Sequence, residues 1–279
     1  MTLDFMHPAS PWRGAIAYPR GDGDAIAAQL HTLGITQLYD HGTKQIGTQR
    51  VIGLGYCGVV ILGEWQGQRV AVKIRRRDAP KENLSAEATH LAAANRVGIG
   101  PRLWAASADC LVMEYLDGPS LPAWIRAQPG AIAPLLKTLL HQAHRLDQVG
   151  LDHGNLRCVT DHVRVQGSTP VLLDFSSAST QRRPANLTTL TQGLFWGTAI
   201  ANTIALGHPL PERDRLIPLL KRYKHNPSPA HAAAIILKCA KKTPTIKRVR
   251  VELPKVTADV PFSGEMNLHQ QTNRATASP

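Results

Sequence analysis

Residues 53–74 read GLGYCGVVILGEWQGQRVAVKI. Gly53, Gly55 and Gly58 fall in a GxGxxG spacing, and Val59 and Val60 follow at once. Aliphatic and β-branched runs lie on both sides of the turn-forming WQGQ. This is the pattern of consecutive antiparallel strands joined by tight turns. A dinucleotide-binding turn would need a helix directly after the glycines, and the strand-like VVILGEW argues against one. Glycines let a backbone approach phosphates closely, and Val59 and Val60 could close over a flat base. Gly-rich hairpins without any ligand share the spacing, so the stretch alone decides the local fold only.

Lys73 stands fifteen residues past Gly58, in VAVKI. Strand alternation turns it to the opposite face from its neighbours. Arg75 and Arg77 share its phase, as a solvent-facing lysine would; the glycines upstream tip the balance toward phosphate binding. The next segment, KENLSAEATHLAAANRVG, predicts a helix with Leu84, Glu87, Ala88, Leu91 and Ala92 on one face and Gly98 as its stop. An acid on an apolar stripe needs a partner, and Lys73 is the candidate for Glu87. The alternative is an acid placed in the first turn by the helix dipole.

Beyond the helix, PRLWAASADCLVMEYL predicts two more strands and DGPSLPAWIRAQPG a Pro/Gly-rich crossing. APLLKTLLHQAHRLDQVG predicts a helix with Leu136, Leu139, Leu140, Ala143 and Leu146 on one stripe, ending at Gly150. LDHGNLRCV follows as a loop, and HVRVQGSTPVLLDFSS as a hairpin. Asp174 ends the apolar strand of that hairpin, where it can hold a hard cation or simply start a turn. Helical patterns return at ANLTTLTQGLFWGTAIANTIA and SPAHAAAIILKCAKK. The fold class is therefore α+β: an antiparallel β-rich N-lobe, a reduced helical C-lobe and a cleft between them. The expected divisions are an N-terminal extension (1–45, with one helix in DGDAIAAQLHTLGI), an N-lobe (46–116), a C-lobe (117–250) and a disordered polar tail (251–279).

Composition narrows the setting. The 279 residues are 43% hydrophobic and 5% aromatic, which predicts an aliphatic core. Four scattered cysteines form no CxxC pair, so neither a disulfide framework nor a zinc ribbon reads from them. MTLDFMHPASPWRG is not a secretory signal, and GLFWGTAIANTIALG is too short to span a bilayer. A cytoplasmic protein is expected. The net charge of +12 gathers late, from Arg213 to Arg250. It reads as a solvated face or as an RNA or ribosome contact, although it lacks interleaved aromatics.

Taken in order, the Gly-rich loop, the VAVK lysine, the helix glutamate and the DF acid resemble the protein-kinase signature set over about residues 48–200. LVMEYLDG resembles the segment that links kinase lobes. DHGNL, LLDFSSAS and RRPANLTTLTQGLF are similar to small predicted Ser/Thr kinases of archaea and bacteria related to the RIO and Bud32 groups. The resemblance implies an atypical ATP-dependent serine/threonine kinase using Mg²⁺ or Mn²⁺. Gly53, Gly55, Gly58, Val60, Ala71 and Lys73 would hold ATP, Met113 would guard the adenine pocket, and Glu114 and Leu116 would offer backbone hydrogen bonds. Glu87 would orient Lys73, and Asp174 with Asp161 would hold the metal.

The loop departs from that family. Asn155 stands where HGD would carry the catalytic aspartate, and an amide cannot take a proton from a hydroxyl. Asp152, three residues earlier, is the preferred base; the alternative is that it only caps the loop, with Asn155 in an inactive slot. An asparagine five residues on is also missing, because Arg157 and Thr160 occupy the two counted positions. A pseudokinase or nucleotide-binding scaffold and a small-molecule kinase therefore remain open beside a protein kinase.

Overall fold

A computed structural model describes residues 4–241. The chain begins with a 3-10 turn (Asp4–Met6) and helices α1 (Arg13–Ile16) and α2 (Asp24–Thr32). Six strands follow: β1 (Ile35–Tyr39), β2 (Lys44–Ile46), β3 (Gln49–Val51), β4 (Gly53–Leu54), β5 (Gly58–Trp65) and β6 (Gln68–Arg75). Helix α3 (Ser85–Arg96) leads to β7 (Leu103–Ala106) and β8 (Cys110–Glu114). The helical part holds α4 (Leu121–Ala127), α5 (Ile132–Gln148) and α6 (Val159–His162). The hairpin β9 (Val163–Gln166) and β10 (Thr169–Leu172) comes next, then a 3-10 turn (Phe175–Ser177). Helices α7 (Asn186–Trp196), α8 (Thr198–Ala205), α9 (Arg213–His225) and α10 (Pro229–Cys239) complete it. The expected α+β class is therefore present, with an antiparallel sheet first and helices after, an arrangement compatible with a kinase-like two-lobed fold.

The main sheet runs β1-β5-β6-β8-β7, with β4 also paired to β5, and every pairing is antiparallel. Its central hairpin turns at Gln66 and Gly67, both at positive φ, 50° and 75°. Two such residues in a two-residue loop match the twist of the flanking strands. The register sets Val60 opposite Lys73, and Ala71 opposite Leu62 and Met113. These residues share one face. Val59, Ile61, Val70, Val72, Ile74, Cys110 and Val112 occupy the other and are buried. Val59 therefore points away from the face of Lys73, and of the two valines only Val60 lies on it.

The N-terminal segment covers the second face. Phe5, Trp12, Ile16, Ile26 and Leu30 pack there with the strand residues in one apolar cluster, and β1 extends the sheet. Gln29 of α2 fastens this layer: its amide donates to Asp109 Oδ2 at 2.9 Å and accepts from the Asp109 N–H at 3.0 Å. A second apolar cluster joins α3 to the helical part through Leu91, Met113, Leu136, Phe175 and Leu190.

Several local expectations change. The crossing segment contains α4, whose Leu121, Trp124 and Ile125 are buried behind a proline in the first turn. The run at 185–205 divides at Gly197 into α7 and α8. The basic segment forms α9, which buries Leu216, Leu220 and Tyr223 and leaves Arg213, Arg215, Lys221, Arg222 and Lys224 exposed. The expected disordered tail, 251–279, lies outside the described residues. Among the described residues no helix is long and apolar enough to cross a membrane, and all four cysteines are unbonded.

Leu30 is fully buried against the sheet. Leu30→Ala should lower stability by about 2–5 kcal/mol in urea unfolding. Unchanged stability would mean that α2 does not seal this face.

Candidate active site

Lys73 is the centre of the site. Its ammonium donates to Glu87 Oε1 at 2.6 Å and to Asp174 Oδ1 at 2.9 Å. The lysine and glutamate side chains are 8% and 3% exposed, and that of Asp174 is 40% exposed. Burial pulls the Lys73 pKa down, but Glu87 and Asp174 outweigh it and raise it above the ordinary lysine value. Burial likewise opposes the charge on Asp174; Lys73 and the Ser176 hydrogen bonds prevail and hold that carboxyl well below the usual range. The arrangement joins a strand of the sheet, a helix beside it and a turn in the helical part.

Local structure places each group. Lys73 sits against Gly58, where an added Cβ would lie 3.1 Å from its Cε and 3.0 Å from the Ile74 carbonyl. A side chain at 58 would displace the lysine stem. Glu87 stands in the first turn of α3, so the dipole and the ion pair act on it together. Its Oε2 is buried without a hydrogen-bond partner among the described residues. Asp174 takes a left-handed conformation, φ 62°, and its side chain accepts from the Ser176 N–H. Such geometry outside glycine is uncommon, though aspartate tolerates it.

The remaining nucleotide candidates lie in the β4–β5 turn, on the Lys73 face of the sheet and in the segment after β8. Gly53, Gly55 and Gly58 form the β4–β5 turn, closed by Gly55 N–H donating to the Gly58 carbonyl at 2.9 Å. Val60, Ala71 and Met113 share the Lys73 face. The Glu114 N–H already donates to the Arg102 carbonyl at 2.8 Å, and Glu114 Oε2 accepts from the Arg102 N–H. Leu116 follows, half-buried, in the link to α4.

The loop at 151–155 is held from below. Asn186, the first residue of α7, accepts from the His153 N–H at 2.8 Å and donates to the Leu151 carbonyl at 2.7 Å. Asp147 fixes Asn186 through the backbone N–H (2.7 Å) and Nδ2 (2.8 Å) of Asn186. Tyr223 of α9 donates to Asp147 at 2.8 Å, and His144 Nδ1 lies 2.7 Å from its hydroxyl. The sequence reading singled out none of Asp147, Asn186, Tyr223 and His144. A signal existed: Asp147 lies four residues after Ala143, on the apolar stripe of α5, just as Glu87 does on α3.

The loop candidates separate. Asp152 pairs its backbone with Ser179 and its carboxylate with Arg182 Nε at 2.9 Å. Asn155 follows Gly154, where a Cβ would lie 2.4 Å from the Ser177 carbonyl, and its Nδ2 donates to His162 Nε2 at 2.8 Å. His162, rather than Asp161, thus meets Asn155. Asp161 is exposed on α6. The described residues contain no cluster of three or more His, Cys, Asp or Glu suited to a metal. Asp174 fits a hard cation on its own: it is ionised and half-open, and no described residue bonds its Oδ2. Phosphates and water would complete a magnesium shell beside one carboxylate.

His153 seals the base of the loop. Its Nε2 donates to the Leu173 carbonyl at 2.9 Å, its ring centroid lies 4.8 Å from that of Phe175, and its Nδ1 has no partner among the described residues. Burial depresses its pKa from 6.5 to about 4. Between those values the unfolded chain binds the proton and the folded one does not, so stability falls as pH drops through that window. His153→Gln should remove up to about 1.4 kcal/mol per pH unit from that slope in urea unfolding. An identical slope in the variant would contradict the assignment.

No protein-family model matches the sequence. Over 101 residues, 36% of this chain, the sequence is 32% identical to mitogen-activated protein kinase kinase kinase 7 of Homo sapiens, and equally to the proteins of that name in Bos taurus and Pongo abelii. The match spans 16% of the human and Pongo abelii proteins and 17% of the bovine one. These similarities support a protein-kinase-like relationship over about a third of the chain.

Proposed function

We propose that the chain binds ATP with Mg²⁺ between the sheet and the helical part and transfers the γ-phosphoryl group to a hydroxyl at a low rate, as an atypical serine/threonine kinase. The observation that carries this reading is the Lys73 ammonium held between Glu87 and Asp174. Lys73 would contact phosphate oxygens, Glu87 would keep the ammonium in place, and Asp174 would hold the cation. The cation supplies charge neutralisation at the phosphates. Val60, Ala71 and Met113 would line the base pocket. The partial similarity to a kinase and the resemblance to the RIO and Bud32 groups support the same reading.

The loop sets the rate. Asn155 can orient a hydroxyl by hydrogen bonding but cannot remove its proton. Asp152 can act as base only after release from Arg182, which makes it the weaker candidate in this geometry. Transfer would then rest on positioning and charge neutralisation. A second reading, nucleotide binding without transfer, draws on the same loop, because Asp152 is paired with Arg182 and Asn155 is an amide. The exposed cations of α9 add nothing specific for an RNA or ribosome partner.

Radiolabelled ATP with Mg²⁺ or Mn²⁺, offered with the protein itself, generic protein substrates and small alcohols, tests both readings. Wild type should give slow transfer, and Lys73→Met should abolish it while the fold persists. Asn155→Asp should raise the rate by about 10²-fold, the lower range for a positioned general base; Asp152→Asn should change it little. Activity that survives Lys73→Met would overturn the proposal. ATP binding with no transfer by wild type or Asn155→Asp would select the second reading.

A further inference from the structure

The glycine turn is braced from outside the cleft, and the brace begins in the N-terminal segment. Arg76 follows β6 directly. Its backbone N–H donates to the Cys57 carbonyl at 3.0 Å, and its Nη1 donates to the Gly55 carbonyl at 3.0 Å. The other guanidinium nitrogens grip Asp78, Nε to Oδ1 at 2.8 Å and Nη2 to Oδ2 at 2.7 Å. The guanidinium carbon lies 5.0 Å from the ring centroid of Tyr18. The Tyr18 carbonyl accepts from the Arg77 N–H at 2.9 Å, so the residue that covers Arg76 is itself tied to the next peptide. The Arg76 side chain is 21% exposed, well below that of Asp78 at 48%.

We propose that Arg76, held flat by Tyr18, is a positioning residue that fixes the glycine turn in a phosphate-accepting shape. Arg76 takes up two of the turn's carbonyls, at Gly55 and Cys57, groups that repel a phosphate. The N–H groups of Tyr56 and Cys57 donate to nothing among the described residues. Successive unpaired N–H groups in a turn form an anion-binding concavity. An ordinary surface pair with Asp78 would leave the Gly55 carbonyl out of the contact and would need no aromatic cover. The planar fork serves three partners at once, which an ammonium cannot do. Tyr18 lies in the N-terminal segment, so that segment acts on the nucleotide site without entering it. Asp78 neutralises the guanidinium from the solvent side and fixes its plane.

The inference rests on the ATP-binding reading, and its test has a readout that does not. In the full chain, amide hydrogen exchange at Gly55 and Arg76 reports the turn directly, and calorimetric titration with Mg-ATP reports its use. Arg76→Met should speed exchange at both amides and weaken Mg-ATP by about tenfold, the loss expected for one hydrogen bond from a charged group. Exchange in α5 should not change. Tyr18→Leu should move both readouts in the same direction, and Tyr18→Phe, which keeps the ring, should restore wild-type values. Any phosphotransfer should show a raised KM for ATP with kcat nearly unchanged. Wild-type exchange at Gly55 in Arg76→Met would overturn the brace, and so would a Tyr18→Phe variant as loose as Tyr18→Leu. Faster exchange in a protein that binds no Mg-ATP would keep the brace as a structural feature and reject both its role in phosphate binding and the ATP reading.

Discussion

A buried ammonium shared by two carboxylates governs this molecule. Lys73 alone at 8% exposure would tend to lose its proton, and Glu87 alone at 3% would tend to gain one. Each makes the other's charge more tolerable, although at Glu87 burial still prevails and keeps its pKa raised. Glu87 Oε2 is also left without a partner. A hydrophobic trio of similar volume would be as stable or more so, because buried ion pairs seldom repay their desolvation. The site therefore makes physical sense as preparation for a ligand that brings both anionic oxygens and a cation.

The rest of the fold serves that trio from three directions. The N-terminal segment seals the far face of the sheet, so that β6 can spend its near face on a charge. Helix α3 carries Glu87, and Leu91 on its buried face joins the cluster that contains Phe175, directly after Asp174. Beneath them, Asp147, Asn186 and Tyr223 hold the loop from which Asn155 emerges.

Much of this was legible in the sequence because it is periodic. Strand alternation placed Lys73 opposite Val72 and Ile74, and helical spacing put Glu87 on the face of Leu91. The glycine turn announced itself through small residues between β-branched runs. What escaped reading depends on partners far along the chain. Nothing near Asp152 points to Arg182, and nothing near Asn155 singles out His162 over Asp161. Helix α4 was masked by its flanking proline and glycines, and α9 by the charges around Leu216, Leu220 and Tyr223. The brace on the glycine turn joins Tyr18 to Arg76 across most of the sheet's sequence, with no local pattern to mark it.

The central claim is that phosphates of a bound nucleotide lie against Lys73. An acyl-phosphate derivative of ATP acylates the lysine beside its phosphates, and peptide mass spectrometry identifies which one. The account predicts selective acylation of Lys73, suppressed by excess Mg-ATP and reduced in Asp174→Asn. Acylation of other lysines with Lys73 untouched, or labelling that excess Mg-ATP does not suppress, would contradict it.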